Sequence, residues 1–546
     1  MVLADHVGRS PGRRPSGHTR EGPFGGLNRV VANVDPTRKP AGAKDSKGRK
    51  GPDDRKALKM QRALAPVSYG KRMALKDRMS DIESFDQLDL LPAVKEALLG
   101  DVFKKLVDVK PTPIQRLALP ALLGQNTSSG SRLGKQKEGA DEAQSFLLAA
   151  ETGSGKTLAY LLPAVNALKI AEAQDPDIKA WNQRKAAERE LVESGKVKGR
   201  PFDEPHPTMA RPKVVILVPT AELVAQVGRV AKALSHAVKF KTEMLSSDLK
   251  PQQIQRSMYS PGGIDLVVAT PHLLASIADS DPNVLSRVSH LVVDEADSLL
   301  DRSFAPVTTS IVERAMPSLK KFVCCSATIP RKMNNYLATN YPKMHRITTP
   351  NLHAIPRRVQ LGVIDVSREP YRNNKDLACA DAIYTIGREA AAHEGPVKSE
   401  IDVRRIIVFV NEREKTEEVA KYLRTKGIDA QALHRDTPEK RHGEILETFT
   451  SNEALTVPAP KFKENRIHNA KVLVVTDLAS RGIDTLAVRH VILYDVPHTT
   501  IDFIHRLGRA GRMGRRGRGI VLAGNDDRKD VIAEVKKSMF MGQALI

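Results

Sequence analysis

From Phe85 onward, short apolar runs alternate with longer stretches in which apolar residues recur at helical spacing. This alternation is typical of strand–helix units, whose strands pair side by side in a parallel sheet. The apolar runs form two groups, so the pattern predicts an α/β protein with two sheets. The first group is residues 146–150, 214–218, 265–269, 290–293 and 322–325, and the second is 359–365, 406–410, 471–475, 490–494 and 519–522.

The two groups of strands define the predicted domains. Residues 1–80 are rich in Gly, Pro, Arg and Lys without apolar periodicity, which predicts a disordered basic arm or a targeting region. The first domain is expected at 81–345, a linker at 346–355 and the second domain at 356–546. Three polar segments, 125–144, 170–211 and 452–470, are predicted to be surface insertions, the second with a helical middle.

Composition narrows the class of protein. Of 546 residues, 41% are hydrophobic, and no apolar run is long enough to cross a membrane. The three cysteines show no metal-ligand spacing, which favours a reduced compartment without disulfides. Lys and Arg exceed Asp and Glu by 22, and this surplus favours a polyanionic partner such as nucleic acid. A soluble basic protein without such a partner is the alternative.

The segment AETGSGKT, which begins at Ala150, lies between a predicted strand and a helical pattern. A glycine-containing loop at this place turns backbone N–H groups toward the phosphates of a nucleotide. Lys156 is expected to reach the β- and γ-phosphates, and Thr157 to bind Mg²⁺. Alanine stands where the strict pattern has its first glycine. The residues predicted to bind the nucleotide here are Ala150, Glu151, Thr152, Gly153, Ser154, Gly155, Lys156 and Thr157.

Four residues, Asp-Glu-Ala-Asp from Asp294 to Asp297, follow another apolar run. A carboxylate at the end of a buried strand is costly unless a cation compensates its charge. Asp294 therefore suits Mg²⁺ binding through water, and Glu295 suits orientation of the attacking water. The alternative is that both residues cap the following helix. The phosphate loop upstream favours the catalytic interpretation.

This Asp-Glu-Ala-Asp string, together with Ser-Ala-Thr at 326–328, resembles the DEAD-box RNA helicase family from about Phe85 to about Arg528. The resemblance implies two tandem RecA-like domains, an RNA-dependent ATPase or helicase activity, the cofactors ATP and Mg²⁺, and RNA as partner. It also implies that Gln115, in Pro-Thr-Pro-Ile-Gln, reads the edge of adenine and that Phe85 stacks on the base. An amide offers one donor and one acceptor side, which suits adenine.

The resemblance assigns further roles to the second half of the chain. It implies that Gly482 and Asp484 bind the nucleotide, Asp484 at the ribose. Arg509 and Arg512 are implied to be arginine fingers on the γ-phosphate, with His505 beside them. Guanidinium groups match the charge that develops on phosphate oxygens. The alternative is that these arginines form a basic patch for RNA. Coupling between the domains is implied for Ser326, Ala327, Thr328 and Arg506.

Small or polar loop residues are the candidates for gripping an RNA backbone without reading its sequence. They are Pro219, Thr220, Gly263, Thr270, Asn411, Arg441 and Thr476. Two positions depart from the family pattern. Ala221 stands where arginine is usual, and His272 directly follows Thr270-Pro271 where the family has glycine and then arginine. Both changes are expected to alter the grip on RNA without disabling ATP hydrolysis.

The expected mechanism is closure of the two domains around ATP and RNA, which bends one RNA strand and releases its partner. An ATP-dependent RNA clamp or assembly scaffold uses the same motifs and is an alternative function. A related DNA helicase is a further alternative. Segments such as 56–72 and 348–366 resemble fungal mitochondrial members of the family. This likeness implies a mitochondrial-matrix location and assembly of the large mitochondrial ribosomal subunit, with ribosomal RNA and assembly proteins as partners. The nucleolus is the alternative location.

Overall fold

The computed structural model describes most of the chain beyond residue 78. The described ranges are 79–104, 109–125, 143–194, 202–247, 249–301, 303–350, 358–392, 400–434, 439–450, 455–458, 467–477, 487–511 and 516–541, with isolated positions at 70, 73, 75, 352–353, 355 and 437. The predicted basic arm at 1–80 lies outside the described residues apart from a few positions, as does most of the segment 125–144.

Seven parallel strands form the first sheet. They are β1 (Gln144–Ala149), β2 (Val214–Leu217), β3 (Thr242–Leu245), β4 (Leu266–Ala269), β5 (His290–Val293), β6 (Lys321–Ser326) and β7 (His345–Thr348), in the spatial order β3-β4-β2-β5-β6-β1-β7. The central strands are buried on both faces, which explains their unbroken apolar sequences such as Val-Val-Ile-Leu in β2.

Helices cover both faces of the first sheet. One hydrophobic core contains residues of α1 (Pro92–Ala97), α2 (Pro113–Leu123), α3 (Lys156–Gln174) and α5 (Ala221–Val238), and short turns of helix at Phe85–Gln87 and Leu98–Val102 border it. The other face packs against α7 (Pro271–Ser280), α9 (Ala305–Ala315) and α10 (Arg331–Asn340). The remaining helices are α4 (Pro176–Glu193), α6 (Pro251–Met258) and α8 (Ala296–Leu299), with 3₁₀ turns at Pro282–Leu285 and Met316–Ser318.

The second sheet has six parallel strands. They are β8 (Val359–Asp365), β10 (Arg404–Phe409), β11 (Ile428–Leu433), β13 (Ile467–Val475), β14 (His490–Leu493) and β15 (Gly517–Ala523), ordered β11-β13-β10-β14-β15-β8. Two helices, α11 (Lys375–Ala392) and α12 (Glu414–Thr425), pack on one face. The other face carries α13 (Glu439–Thr450), α14 (Thr500–Leu507) and α15 (Lys529–Met541). A short antiparallel ribbon pairs β9 (Glu400–Asp402) with β12 (Thr456–Pro458).

The ten predicted strands are all present, but three edge strands and the ribbon were missed. Strand β7 pairs with β1 in the first sheet, so the predicted linker at 346–355 is wrong in its first three residues, which belong to this strand. The other domain limits remain predictions. Among the described residues, no helix is long and apolar enough to span a membrane.

The insertion at 170–211 has the expected helical middle, which is α4. Trp181 in this helix is only 7% exposed, and its ring packs on that of His206 at 4.7 Å while its indole N–H donates to the carbonyl of Glu204 at 3.0 Å. The backbone N–H of His206 donates to the carbonyl of Pro261 at 2.8 Å. The insertion is therefore fastened to the turn that precedes β4.

Candidate nucleotide and RNA site

The motif-bearing loops of the first sheet follow three neighbouring strands, β5, β6 and β1. Ala149 pairs with Ser326, and the next N–H, that of Ala150, donates to the carbonyl of Ser326 at 3.1 Å. Adjacent parallel strands lie about 4.8 Å apart, and their carboxyl ends share one edge of the sheet. The phosphate loop, the Asp294 segment and the Ser326 segment therefore lie side by side at the place where doubly wound sheets bind ligands.

The phosphate loop closes around the ammonium group of Lys156. Its Nζ donates to the carbonyl of Ala150 at 2.7 Å and to that of Glu151 at 3.0 Å, and the residue is 8% exposed. Gly153 and Gly155 have φ angles of 74° and 87°, a left-handed backbone that favours glycine. To reach a phosphate, Lys156 has to exchange these two carbonyl oxygens for phosphate oxygens. Thr152, Ser154 and Thr157 complete the loop.

Gln115 braces this loop. Its side-chain carbonyl accepts from the N–H of Thr112 at 2.9 Å, and its amide nitrogen donates to the carbonyl of Gly155 at 3.1 Å. Phe85 is 3% exposed, lies in the hydrophobic core and has its ring centroid 5.8 Å from that of Phe103. Neither side chain is open to a base in this arrangement. Their roles in reading adenine remain predictions.

Asp294 is held by two donors at the end of β5. Its Oδ1 accepts from the N–H of Glu295 at 2.9 Å, and its Oδ2 accepts from the hydroxyl of Tyr160 at 2.9 Å. Burial, and secondly the charge of Glu295, raise the pKa of Asp294 to about 6, while the nearby charge of Lys156 opposes the rise. Tyr160 was not predicted. It lies four residues after Lys156 in α3, so both face the same side of the helix.

Asp297, the last residue of the Asp-Glu-Ala-Asp string, is the acceptor where the two domains meet. The hydroxyl of Thr328 donates to its Oδ2, and Nε2 of His505 in α14 lies 3.5 Å from the same oxygen. The Ser326 hydroxyl donates to the carbonyl of Thr328 at 2.7 Å and so fixes this turn, with Ala327 fully buried within it. The sequence analysis named Thr328 and His505 but not the carboxylate that they share.

A second contact joins the phosphate loop to the segment after α14. The hydroxyl of Thr152 lies 3.4 Å from the carbonyl of Gly508. A Cβ atom at Gly508 would lie 2.5 Å from that hydroxyl, so only glycine fits this approach. Arg509 follows directly and is 5% exposed. The other predicted residues of this half of the site, Gly482, Asp484 and Arg512, lie outside the described residues.

Arg506 is a fully buried residue whose guanidinium group donates four hydrogen bonds. Its guanidinium donates to both carboxylate oxygens of Asp477 at 2.7 and 2.6 Å, to the carbonyl of Asp495 at 3.0 Å and to the side chain of Asn411 at 2.7 Å. It also lies over the ring of Phe409 at 5.4 Å. These partners all belong to the second sheet and its loops. The interdomain contact predicted for Arg506 is not among them, and the geometry favours a role in positioning Asn411.

The candidate RNA contacts fall on the carboxyl edges of both sheets, with one exception. Pro219 and Thr220 follow β2, Thr270 follows β4, Asn411 follows β10 and Thr476 follows β13, while Arg441 is exposed on α13. Ala221 is the first residue of α5, and His272 packs on Phe304 with ring centroids 5.3 Å apart. The loop after β3, which begins at Ser246, lies beside the Thr270 loop, and the sequence analysis did not name it.

Gly263 is the exception, because it precedes β4 at the opposite edge of the sheet. Its φ of 77° lies in the left-handed region, and a Cβ atom would lie 2.2 Å from the hydroxyl of Thr208 and 2.6 Å from Nδ1 of His206. Close packing against the insertion therefore explains the glycine. Its RNA contact stays a prediction, but the structure does not bring it to the edge that carries Thr220 and Thr270.

Comparison with known proteins supplies the family. Residues 112–336 match the model of the DEAD/DEAH box helicases, and residues 394–514 match that of the helicase conserved C-terminal domain. A Pyricularia oryzae protein named ATP-dependent RNA helicase MRH4, mitochondrial, is 61% identical and covers all of this chain and 90% of its own. A Neurospora crassa protein of the same name is 58% identical, with coverages of 100% and 92%.

Among solved structures, that of Saccharomyces cerevisiae Dbp5 bound to RNA and ADP BeF3 is similar, with a TM-score of 0.59 at 20% sequence identity over 84% of this chain and 93% of that one. This likeness supports the fold, two tandem RecA-like domains. The two family models in order along the chain, and relatives 61% and 58% identical over 90% and 92% of their lengths, show that this protein belongs to the DEAD-box family and is an ATP-dependent RNA helicase.

Proposed function

We propose that this helicase remodels RNA in the mitochondrial matrix during assembly of the large ribosomal subunit. The location is supported by the names of the Pyricularia and Neurospora relatives, both of which include the word mitochondrial. The observation that carries the mechanism is the shared acceptor Asp297, which contacts Thr328 of the first domain and His505 of the second. A change at the nucleotide can therefore alter the contact between the domains.

The nucleotide half of the mechanism rests on Lys156, Asp294 and Glu295. ATP binding gives Lys156 phosphate oxygens in place of its two carbonyl partners. Thr157 and Asp294 offer the hard oxygen ligands that Mg²⁺ prefers, and the ion when bound neutralises charge on the phosphates. Glu295, which follows Asp294 directly, would orient the attacking water. Arg509, and Arg512 by prediction, stabilise the charge that develops on the transferred phosphoryl group.

The RNA half uses the opposed loops of the two domains. Thr220, Thr270 and the loop that begins at Ser246 lie on the first domain, and Asn411 and Thr476 lie on the second. Hydroxyl, amide and backbone groups of this kind contact phosphates and 2′-hydroxyls, which gives binding without sequence specificity. Movement of one set of loops relative to the other would bend the bound strand.

The catalytic assignment is tested by Glu295→Gln, which keeps the size of the side chain and removes the base. We expect RNA-stimulated phosphate release to fall by about 10²-fold or more, with the affinity for nucleotide and RNA retained. Asp301→Asn, at a side chain that is 65% exposed, is the matched control and should leave turnover unchanged. Undiminished turnover in Glu295→Gln would contradict the assignment.

The substrate and the location need separate measurements. Imaging of the full-length tagged protein should show mitochondria, and a nucleolar signal would contradict the proposal. Cross-linking in cells followed by sequencing should recover RNA of the large mitochondrial subunit. Strand displacement measured beside RNA retention with a non-hydrolysable nucleotide distinguishes a helicase from a clamp, because a clamp retains RNA without displacing a strand.

A further inference from the structure

The amino ends of the second sheet's strands carry a cluster of cations that the ATP and RNA sites do not use. Six of them define the basic edge: Arg388, Arg404, Lys471, Arg489, Arg516 and Arg518. Strand register brings them together, since β10 begins at Arg404 beside β13, and His490 of β14 pairs with Arg518 of β15. Asn411 and Thr476 lie at the other end of the same strands, so the basic edge faces away from them.

Two contacts show that the basic edge includes the end of α11, where Arg388 lies. The side-chain amide of Asn469 donates to the carbonyl of Gly387 at 2.8 Å. The guanidinium of Arg518 donates to both carboxylate oxygens of Glu389, at 3.1 and 2.9 Å. The helix end and the strand ends therefore form one continuous surface.

The pKa of His490 indicates that the electrostatic potential of this surface is positive. Burial, followed by the charges of Arg404, Arg518 and Arg489, lowers the pKa of His490 to about 4, and the charge of Glu389 opposes this shift. Three guanidinium groups thus act on a single imidazole from β10, β15 and the residue before β14. The imidazole itself is neutral at physiological pH, so it adds no charge to the edge.

Carboxylates offset only part of the charge. Glu389 pairs with Arg518, Asp402 lies 3.8 Å from Arg404, and Asp429 lies 3.9 Å from Lys471. Arg388, Arg489 and Arg516 are exposed, and none of them pairs with Glu389, Asp402 or Asp429. Arg358, directly before β8, and Arg405, in β10, lie at the same edge. A clear positive surplus remains after this pairing.

We propose that the basic edge is a second RNA-binding surface, which holds the backbone of a duplex outside the cleft between the domains. Five of its six cations are arginines, whose planar guanidinium forks match phosphate oxygens better than lysine does. The edge crosses β13, β10, β14 and β15, a width of about 14 Å at about 4.8 Å per strand. A duplex presents about eight phosphate charges over that length. An acidic protein segment would lack this dense, regular charge.

The position of the edge indicates what such binding does. Because the edge lies at the opposite ends of the strands from Asn411 and Thr476, RNA held there does not compete with the strand in the cleft. It would keep the enzyme on a structured RNA in every nucleotide state, while the cleft opens and closes on a neighbouring strand. This tether raises the local concentration of substrate without changing the chemistry.

The test compares two triple variants that each remove three positive charges. Arg388→Gln, Arg489→Gln and Arg516→Gln remove three of the six cations of the edge, and Lys179→Gln, Arg229→Gln and Lys232→Gln remove three exposed cations from the first domain. The probe is a labelled RNA duplex, titrated without nucleotide at increasing KCl. Three lost phosphate contacts reduce the salt slope by about 2 to 3. From about 50 to about 150 mM KCl, wild-type affinity should therefore fall about tenfold more than that of the edge variant.

The control variant should keep the wild-type slope, and both variants should keep wild-type turnover at saturating single-stranded RNA. Equal slopes in the edge variant and the wild type would overturn the proposal, as would equal losses in both variants, because net charge alone would then explain them. Ultraviolet cross-linking of the duplex to the unaltered protein provides an independent readout. Cross-links at β10, β14 or α11 support the edge, and cross-links confined to the cleft refute it. Unchanged RNA binding with loss of an acidic protein partner would also overturn it.

Discussion

Replacing Asp294 by asparagine should make the nucleotide-free protein more stable while it abolishes hydrolysis. The carboxylate is buried, and its pKa is raised from 3.8 to about 6. Each unit corresponds to about 1.4 kcal/mol, so ionisation of Asp294 at neutral pH costs the folded protein about 3 kcal/mol. The amide removes this charge but can keep both partners, since its oxygen accepts from the N–H of Glu295 and its NH₂ group can donate to the hydroxyl oxygen of Tyr160.

The sign of the pH dependence follows from the direction of the shift. Between about pH 4 and about pH 6 the folded protein binds a proton at Asp294 that the unfolded chain has released, so stability from this group falls as pH rises through that window. Asp294→Asn is insensitive to this loss. We therefore expect its advantage to be full at pH 7.5, about 1 to 3 kcal/mol, and to shrink toward pH 4. This corresponds to a rise in Tm of roughly 2 to 12 °C.

Thermal unfolding in the presence of a chelator measures this difference, at pH 7.5 and again at pH 5. Asp301→Asn is the matched control, because its carboxylate is exposed and its removal should change Tm by little at either pH. An Asp294→Asn protein that is no more stable than the wild type at pH 7.5 would refute the reasoning. An advantage of equal size at both pH values would refute it as well, because ionisation would then not be the cause.

Two further substitutions test the partners of these groups. Tyr160→Phe removes one of the two donors that orient Asp294, so the Mg²⁺ concentration for half-maximal binding of a labelled nucleotide should rise severalfold. An unchanged Mg²⁺ titration would contradict this. The free energy of unfolding should also drop by about 1.5 to 3 kcal/mol. Arg506→Ala leaves Asp477 and Asn411 without their buried partner, so the free energy of unfolding, measured by urea denaturation, should fall by about 3 to 5 kcal/mol. An unchanged denaturation midpoint would show that the network does not contribute to stability.

The strands that could be predicted from sequence are mostly central ones with both faces buried. Their sequences are unbroken apolar runs, as in β2 and β5, because helices cover them on both sides. The missed strands β3, β7 and β11 are all at the edges of their sheets. An edge strand is less covered and tolerates polar residues, so Thr-Glu-Met-Leu in β3 or Ile-Asp-Ala-Gln-Ala-Leu in β11 lacks the signal.

The site was predictable where its residues are contiguous in the chain. The phosphate loop and the Asp-Glu-Ala-Asp string are each a single turn, and their residue types indicate their chemistry. The contacts between distant segments were not predictable, because residue type does not say which partner a side chain meets. Tyr160 and Asp294 are 134 residues apart, and Asp297 and His505 belong to different domains. Gly263 is a further case, because the sequence did not show that this glycine packs closely against Thr208 and His206 of the insertion.

The hydrogen bonds of the nucleotide-free site indicate why binding and domain contact are coupled. Lys156 is satisfied by two carbonyls of its own loop, Gln115 by Gly155 and Thr112, and Asp294 by Tyr160 and Glu295. Leaving a buried polar group without a hydrogen-bond partner costs free energy, so each lost partner has to be replaced. If ATP takes Lys156 from the two carbonyls of its own loop, as proposed, we expect the phosphate loop to change shape. Because Thr152 of that loop contacts Gly508, we expect such a change to alter the contact with the second domain.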